Sequence, residues 1–158
     1  MNVEKRNKLI SIVLAIIIIA LGYWLYRSIV DPYQEVIDRE QMTERVRNQM
    51  MSVRDALIHY DRNVGDFPPT EGGLDTLVQY IKSDSVRQVA DSLFIPENTP
   101  GEFNPDSLIY SPRPPHNKFE YTLNDTLRPP IYLLEDPDSE DKIGSLENTT
   151  QLNETSWN

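Results

Sequence analysis

The chain has 158 residues, no cysteine and a formal net charge of −10 at pH 7. Such a negative chain repels nucleic acid, so we expect no nucleic-acid partner, and the lack of cysteine excludes disulfides and thiolate chemistry. The length predicts one modest domain and leaves little room for an elaborate catalytic cleft.

The first predicted element is a transmembrane helix over residues 9–30. Its centre is an uncharged run of 18 residues, LISIVLAIIIIALGYWLY, from Leu9 to Tyr26. At about 1.5 Å per residue this run spans roughly 27 Å, close to the thickness of the hydrocarbon layer of a bilayer. A cleaved signal peptide is the alternative, because residues 20–22 (ALG) fit a small-x-small cleavage site. The apolar run continues beyond that site, which favours an uncleaved anchor.

Basic residues predict the orientation of this anchor. Lys5, Arg6 and Lys8 precede the apolar run, whereas Arg27 alone follows it. By the positive-inside tendency, residues 1–8 are cytoplasmic and the acidic remainder lies outside. We therefore expect a single-pass protein of the inner (cytoplasmic) membrane with a periplasmic or extracellular C-terminal domain.

An amphipathic helix is predicted over residues 31–64. Asp31-Pro32 at its start separates it from the transmembrane helix, because proline is tolerated at the beginning of a helix. The segment is rich in helix-forming residues, and its apolar residues recur at steps of three and four. They are Val46, Met50, Val53, Leu57, Tyr60 and Val64. The stripe is weak over residues 38–45, so that part is expected to be either solvated or packed against another subunit.

Residues 65–146 are predicted to form a small globular domain. A proline- and glycine-rich loop leads into a short helix from about residue 71 to 82, with Thr70 as its N-cap. Residues 83–95 are expected to add a second short helix, and residues 96–106 to form a loop.

Three short runs rich in β-formers follow, and they predict an antiparallel meander. They are Leu108–Tyr110, Phe119–Leu123 and Ile131–Leu134. A sheet with one apolar face needs a cover, and we expect the lower stripe of the long helix to supply it, so the predicted fold class is α+β. Residues 147–158 are expected to be a frayed polar tail with Trp157 as its one anchor.

Residues 45–81 carry a resemblance to a known family. They contain Ala56-Leu57 three residues before Tyr60, then Gly65-Asp66, then FPPTEGGL over residues 67–74. The segment resembles the major pseudopilin of type II secretion systems, within the type IV pilin class. The resemblance implies a pilin-like fold and a non-enzymatic structural subunit of a secretion or pilus-like envelope machine. Its partners would be the membrane and other subunits, copies of itself included.

The N-terminus departs from that family. Pseudopilins carry glycine or alanine before the peptidase cleavage point and a glutamate shortly after it, inside the apolar helix. Here Asn7-Lys8 precedes Leu9, and no acid occurs from Leu9 to Val30. We interpret the chain as a pilin-like protein kept in the membrane, or as a divergent member of a secretion apparatus. The alternative is a membrane-anchored periplasmic scaffold or binding subunit of another complex that reuses the fold.

The residue inventory does not predict an enzyme. There is no nucleophile elbow, P-loop or dinucleotide glycine pattern. His59 and His116 are isolated, and two such histidines predict neither a zinc site nor a catalytic triad. We expect no catalytic residues.

Five acids fall within residues 135–141, EDPDSED, which we call the acidic loop. Calcium is bound by six to eight oxygens, and alternating carboxylates can supply them. Major pseudopilins bind calcium in their C-terminal loop, so the resemblance implies a calcium site. Its candidate ligands are Asp136, Asp138, Glu140 and Asp141. The alternative is a solvated acidic turn without metal.

Overall fold

A computed structural model describes residues 3–83, 86, 90, 93–95 and 104–157 of the chain. Within these residues the main elements are two helices and three strands. The helices are α1 (Val3–Val64) and α2 (Gly73–Lys82), and the strands are β1 (Glu120–Asn124), β2 (Ile131–Glu135) and β3 (Lys142–Gly144). The chain forms two compact units, residues 1–41 and residues 42–158.

The first unit is the N-terminal part of α1. The backbone is helical through Pro32, so the predicted boundary at residues 30 and 31 does not interrupt the helix. An 18-residue window of this helix has a mean hydropathy of 2.5, and none of the other described residues buries it. By length and composition, this helix can cross a membrane.

The second unit contains the hydrophobic core, and it confirms the predicted α+β class. The side chains of Val46, Met50, Val53 and Leu57 are fully buried, as the helical spacing predicted. They share one core cluster with Tyr121, Leu134 and Ile143 of the three strands. Val64, the last residue of the predicted stripe, is exposed at the end of α1.

The sheet is antiparallel in the order β1-β2-β3. Tyr121 pairs with Leu134, which pairs in turn with Ile143. Two of the three predicted strands are confirmed, but the prediction of a strand at Leu108–Tyr110 is wrong, since only Tyr110 makes an isolated bridge with Lys118. The third strand of the sheet is instead β3. It has a single apolar residue, between a lysine and a glycine, so the sequence shows no alternating pattern there that would predict a strand.

The C-terminal segment is ordered against the sheet, and the predicted frayed tail is therefore wrong. The amide of Gly144 donates to the carbonyl of Glu154, and the amide of Ser156 donates to the carbonyl of Lys142, both at 2.9 Å. The segment thus covers the outer edge of β3. Backbone hydrogen bonds require no apolar side chains, so a polar sequence can pair as readily as an apolar one.

Helix α2 buries the apolar face that its sequence predicts: Leu74, Leu77, Val78 and Ile81. Its N-cap is Gly72 rather than the expected Thr70, and Gly72 has a φ of 71° that suits glycine. The Thr70 hydroxyl instead accepts a hydrogen bond from the amide of Leu123 at 2.9 Å, which links this loop to β1. The predicted helix at residues 83–95 and the predicted loop at residues 96–106 lie largely outside the described residues, but Val86 and Ala90 are buried.

Candidate functional site

The acidic loop joins β2 to β3 as a closed hairpin turn. The amide of Asp136 donates to the carbonyl of Asp141 at 3.1 Å and closes the turn. Asp136 and Asp141 are buried, whereas Asp138 and Glu140 are exposed. Of the four predicted calcium ligands, two are thus buried and two are exposed.

Asp141 is paired with Arg47 of α1. The guanidinium donates through Nε and Nη2 to the two carboxylate oxygens, each at 2.9 Å. This hydrogen bonding is the main cause that raises the pKa of Arg47 above its ordinary value, against the opposing effect of burial. The guanidinium carbon also lies 5.2 Å from the ring centroid of Trp157. Arg47 therefore joins the long helix to both the acidic loop and the C-terminal segment.

The Asp136 carboxylate is held by three other groups, one of which is the backbone amide of Asp138, which donates to Oδ1 at 3.4 Å. The Ser139 hydroxyl donates to Oδ2 of Asp136 at 2.7 Å, and Nη1 of Arg113 lies 3.4 Å from the same oxygen. The Arg113 guanidinium also donates to the backbone carbonyl of Asp138 at 2.9 Å. Because the Asp136 side chain is fully buried, this arginine and hydroxyl provide the hydrogen bonds that a buried carboxylate needs.

The two exposed acids differ in their contacts, because Asp138 is held through its carboxylate and Glu140 through its backbone carbonyl. The side-chain amide of Asn117 donates to both oxygens of Asp138, at 3.0 and 3.1 Å. The carbonyl of Glu140 accepts a long hydrogen bond of 3.5 Å from the hydroxyl of Ser156. Asp138 is therefore fixed by a neutral partner, in contrast to the two buried aspartates.

These contacts bear on the expected calcium site. Within the described residues, no three histidine or carboxylate side chains converge to hold a metal. Asp136 and Asp141 accept hydrogen bonds from arginines, so a cation bound by them must displace or share those contacts. Calcium binding by this loop stays a prediction.

The loop also lines an open surface depression with a volume of about 730 Å³. Its wall carries five carboxyl groups and two basic side chains, and Arg113 behind the wall pairs with Asp136, so the excess is two negative charges. The acids are Glu120, Glu135, Asp136, Glu140 and Asp141, and the bases are Arg47 and Lys142. Such a surface favours basic partners over acidic ones.

Sequence reasoning missed the groups that hold the loop. The nearest base in sequence is Lys142, whereas the contacts come from Arg47, Arg113 and Asn117. Arg47 lies 94 positions before Asp141, and Arg113 lies 23 positions before Asp136. One signal was available: Arg47 directly follows Val46 of the apolar stripe, at the border of the buried face.

The two histidines lie apart from the acidic loop in contacts of their own. One ring nitrogen of His59 is 2.9 Å from the Tyr80 hydroxyl, and its ring packs edge-on against Phe94. A ring nitrogen of His116 is 3.0 Å from the carbonyl of Ser111. Neither contact includes a carboxylate that would orient a catalytic base.

Comparisons with known proteins add no relative: neither protein-family models, nor curated proteins, nor solved structures match this chain. The fold class therefore rests on the helices and strands described above. The resemblance to pseudopilins rests on the pattern of residues 45–81, and it stays a prediction.

Proposed function

We propose that this chain is a single-pass, membrane-anchored and non-enzymatic structural subunit of a secretion or pilus-like envelope assembly. One observation carries the proposal: among the described residues, none buries the apolar window of α1, while those of the second unit have a core of their own. Unburied apolar surface of this extent needs another apolar environment, and a bilayer provides one of the right thickness.

The pilin-like layout supports the structural role. The motif residues Ala56 and Leu57 are buried in the core, and Tyr60 packs against it. The loop after α1 leads into α2 and is bound to β1 through Thr70, so the motif forms the contact between helices and sheet. These residues serve packing, which agrees with a subunit whose work is assembly.

The proposed location is the inner membrane, with the acidic unit on the outer side. Three basic residues before the apolar run support this orientation. A reporter fused after Asn158 should then be active only outside the cytoplasm. Exchanging Lys5, Arg6 and Lys8 for glutamate should reduce or invert that signal, and exchanging Glu35, Asp38 and Glu40 for lysine tests whether charge beyond the anchor has the same effect.

Two further measurements complete the test of anchoring and role. The N-terminal sequence of the membrane-bound protein should begin at or near Met1; a start at Tyr23 would show a cleaved signal peptide. Other envelope proteins should co-purify with the detergent-extracted protein. Recovery in the soluble fraction, or without any envelope protein, would contradict the proposal.

A second candidate is a membrane-anchored scaffold or binding subunit of another complex. The observation that favours it is the acidic depression beside the acidic loop. In that case, charge reversal at Glu135 and Glu140 should release a basic partner. A structural subunit of a secretion or pilus-like assembly would keep its co-purifying subunits after the same change.

A further inference from the structure

Two consecutive seven-residue segments of α1 share one pattern. Residues 26–32 read YRSIVDP, and residues 33–39 read YQEVIDR. Each segment has tyrosine first, β-branched aliphatic residues fourth and fifth, and aspartate sixth. The repeat lies within the first unit of the chain, residues 1–41.

A helix returns to nearly the same face after seven residues, so the apolar positions of both segments form one stripe. We call this stripe the seam, and its members are Tyr26, Ile29, Val30, Tyr33, Val36 and Ile37. Tyr26, Ile29, Tyr33 and Val36 are 65%, 63%, 64% and 52% exposed. Most of the seam is thus unpartnered within the described part of the chain. Tyr26, Ile29 and Val30 belong to the predicted transmembrane stretch, where lipid is the competing cover, whereas Tyr33, Val36 and Ile37 lie beyond it.

Polar residues occupy the remaining positions of both segments, apart from Pro32. Two ion pairs form among them, between Arg27 and Asp31 at 2.9 Å and between Arg39 and Glu35 at 2.6 Å. Each pair joins residues four apart on the helix surface, so each arginine is neutralised by its own chain. Identical helices can therefore approach along the seam without strong repulsion between their arginines.

We propose that the seam pairs with the seam of a second copy of this chain, in a parallel arrangement. Apolar residues at the first and fourth positions of a heptad are what two helices need to interlock their side chains. The inference rests on the proposed anchoring, because two copies in one membrane have the same direction and the same depth. Each seam residue then meets its equivalent in the other copy.

The available area favours a tethered copy over a freely diffusing partner. The exposed seam side chains offer roughly 500 Å² per copy, given that aromatic side chains bury about 150–250 Å² each. Two copies would then bury about 1,000 Å², somewhat less than the about 1,200 Å² of a stable interface in solution. Anchoring in one membrane raises the effective concentration, so a smaller interface suffices.

Disulfide crosslinking of the full-length protein in membranes tests the pairing. The chain has no cysteine, so each variant carries a single one. Tyr33→Cys and Val36→Cys place it in the seam, whereas Ser28→Cys and Asp38→Cys are controls on the opposite face of the helix and outside both ion pairs. A disulfide needs Cα atoms about 4.4–6.8 Å apart, so the seam variants should form dimers at least about ten times faster than the controls.

Equal rates on both faces, or no dimer from either seam variant, would overturn the pairing. A staggered array of copies would also overturn it, because equal positions then lie at different heights and cannot form a disulfide. Thermal unfolding of residues 42–158 within the full chain should be the same in all four variants. This control excludes misfolding as the cause of a low rate.

Co-purification from the same membranes separates this inference from the proposed function. If the seam variants fail to crosslink while the protein still brings down envelope proteins, the pairing is wrong and the proposed function stands. If the seam variants crosslink but no envelope protein co-purifies with them, the pairing is supported and the proposed role in an envelope assembly is wrong.

Discussion

Arg47 of α1 and Asp141 at the end of the acidic loop form a bidentate ion pair, with both nitrogen–oxygen distances at 2.9 Å. The Asp141 side chain is 11% exposed and that of Arg47 is 35% exposed. The pair lies at the border of the core, where a carboxylate without its partner is poorly solvated. It joins the first and last parts of the second unit.

The first prediction concerns the strength of this pair. Arg47→Gln and Asp141→Asn should each lower the free energy of unfolding by about 1–3 kcal/mol, because each leaves a partly buried group without its charged partner. The double variant should lose less than the sum of the two. Urea unfolding of the full chain in detergent measures these values.

The matched control for that prediction is an exposed ion pair in the same unit. Lys118 and Asp75 are 2.7 Å apart, with side chains 37% and 60% exposed. Lys118→Gln should cost less than about 1 kcal/mol, as exposed pairs do. A cost for Arg47→Gln no larger than this control would show that the Arg47–Asp141 pair adds little.

The second prediction concerns helix packing in the core. Leu57 is fully buried, so Leu57→Ala should lower the free energy of unfolding by about 2–4 kcal/mol through lost contacts and the cavity left behind. Val64→Ala, at a position 56% exposed on the same helix, is the control and should change it by less than about 0.5 kcal/mol. Similar values for both variants, measured by urea unfolding, would contradict the packing described.

The third prediction concerns high pH. Burial raises the pKa of both Tyr121 and Tyr132, whose hydroxyls donate to the Pro68 carbonyl and to Asn153 Oδ1. Unfolded tyrosine loses its proton near pH 10, so the folded state holds these protons more tightly. Their stabilisation is complete below about pH 10 and is lost as the pH rises toward the raised pKa.

Tyrosinate absorbance and circular dichroism, followed together, test this prediction. Tyr121 and Tyr132, which are 9% and 0% exposed, should ionise only with unfolding. Tyr121→Phe should therefore remove part of the tyrosinate absorbance that appears with unfolding. Ionisation of all tyrosines with unchanged dichroism would contradict the burial of these two rings.

The fourth prediction is calcium binding by the acidic loop. A cation that binds only the folded chain stabilises it by about 2.7 kcal/mol at a hundredfold excess over Kd, so Tm should rise in calcium and fall in chelator. Asp138→Ala should remove this response, because Asp138 has no cationic partner among the contacts described. Coinciding melting curves in calcium and chelator would mean that Arg47 and Arg113 hold the loop without metal.

Local periodicity was sufficient to predict much of this fold. The steps of three and four from Val46 to Leu57 predicted the buried face of α1, and the alternation around Tyr121 predicted β1. Both patterns report which side chains of a single element share a face. The predicted class, a long helix on a small antiparallel sheet, followed from them.

Only the tertiary structure showed that β3 is a strand and that the C-terminal segment pairs with its outer edge. It also identified the side chains that bind the acidic loop. β3 and residues 154–156 are held by backbone hydrogen bonds, which any sequence can make, so no side-chain pattern marks them. Five neighbouring acids predicted a cation among them, and the cationic groups found there are Arg47 and Arg113. Which distant base reaches a given carboxylate depends on how helix and sheet pack, and no local spacing encodes that.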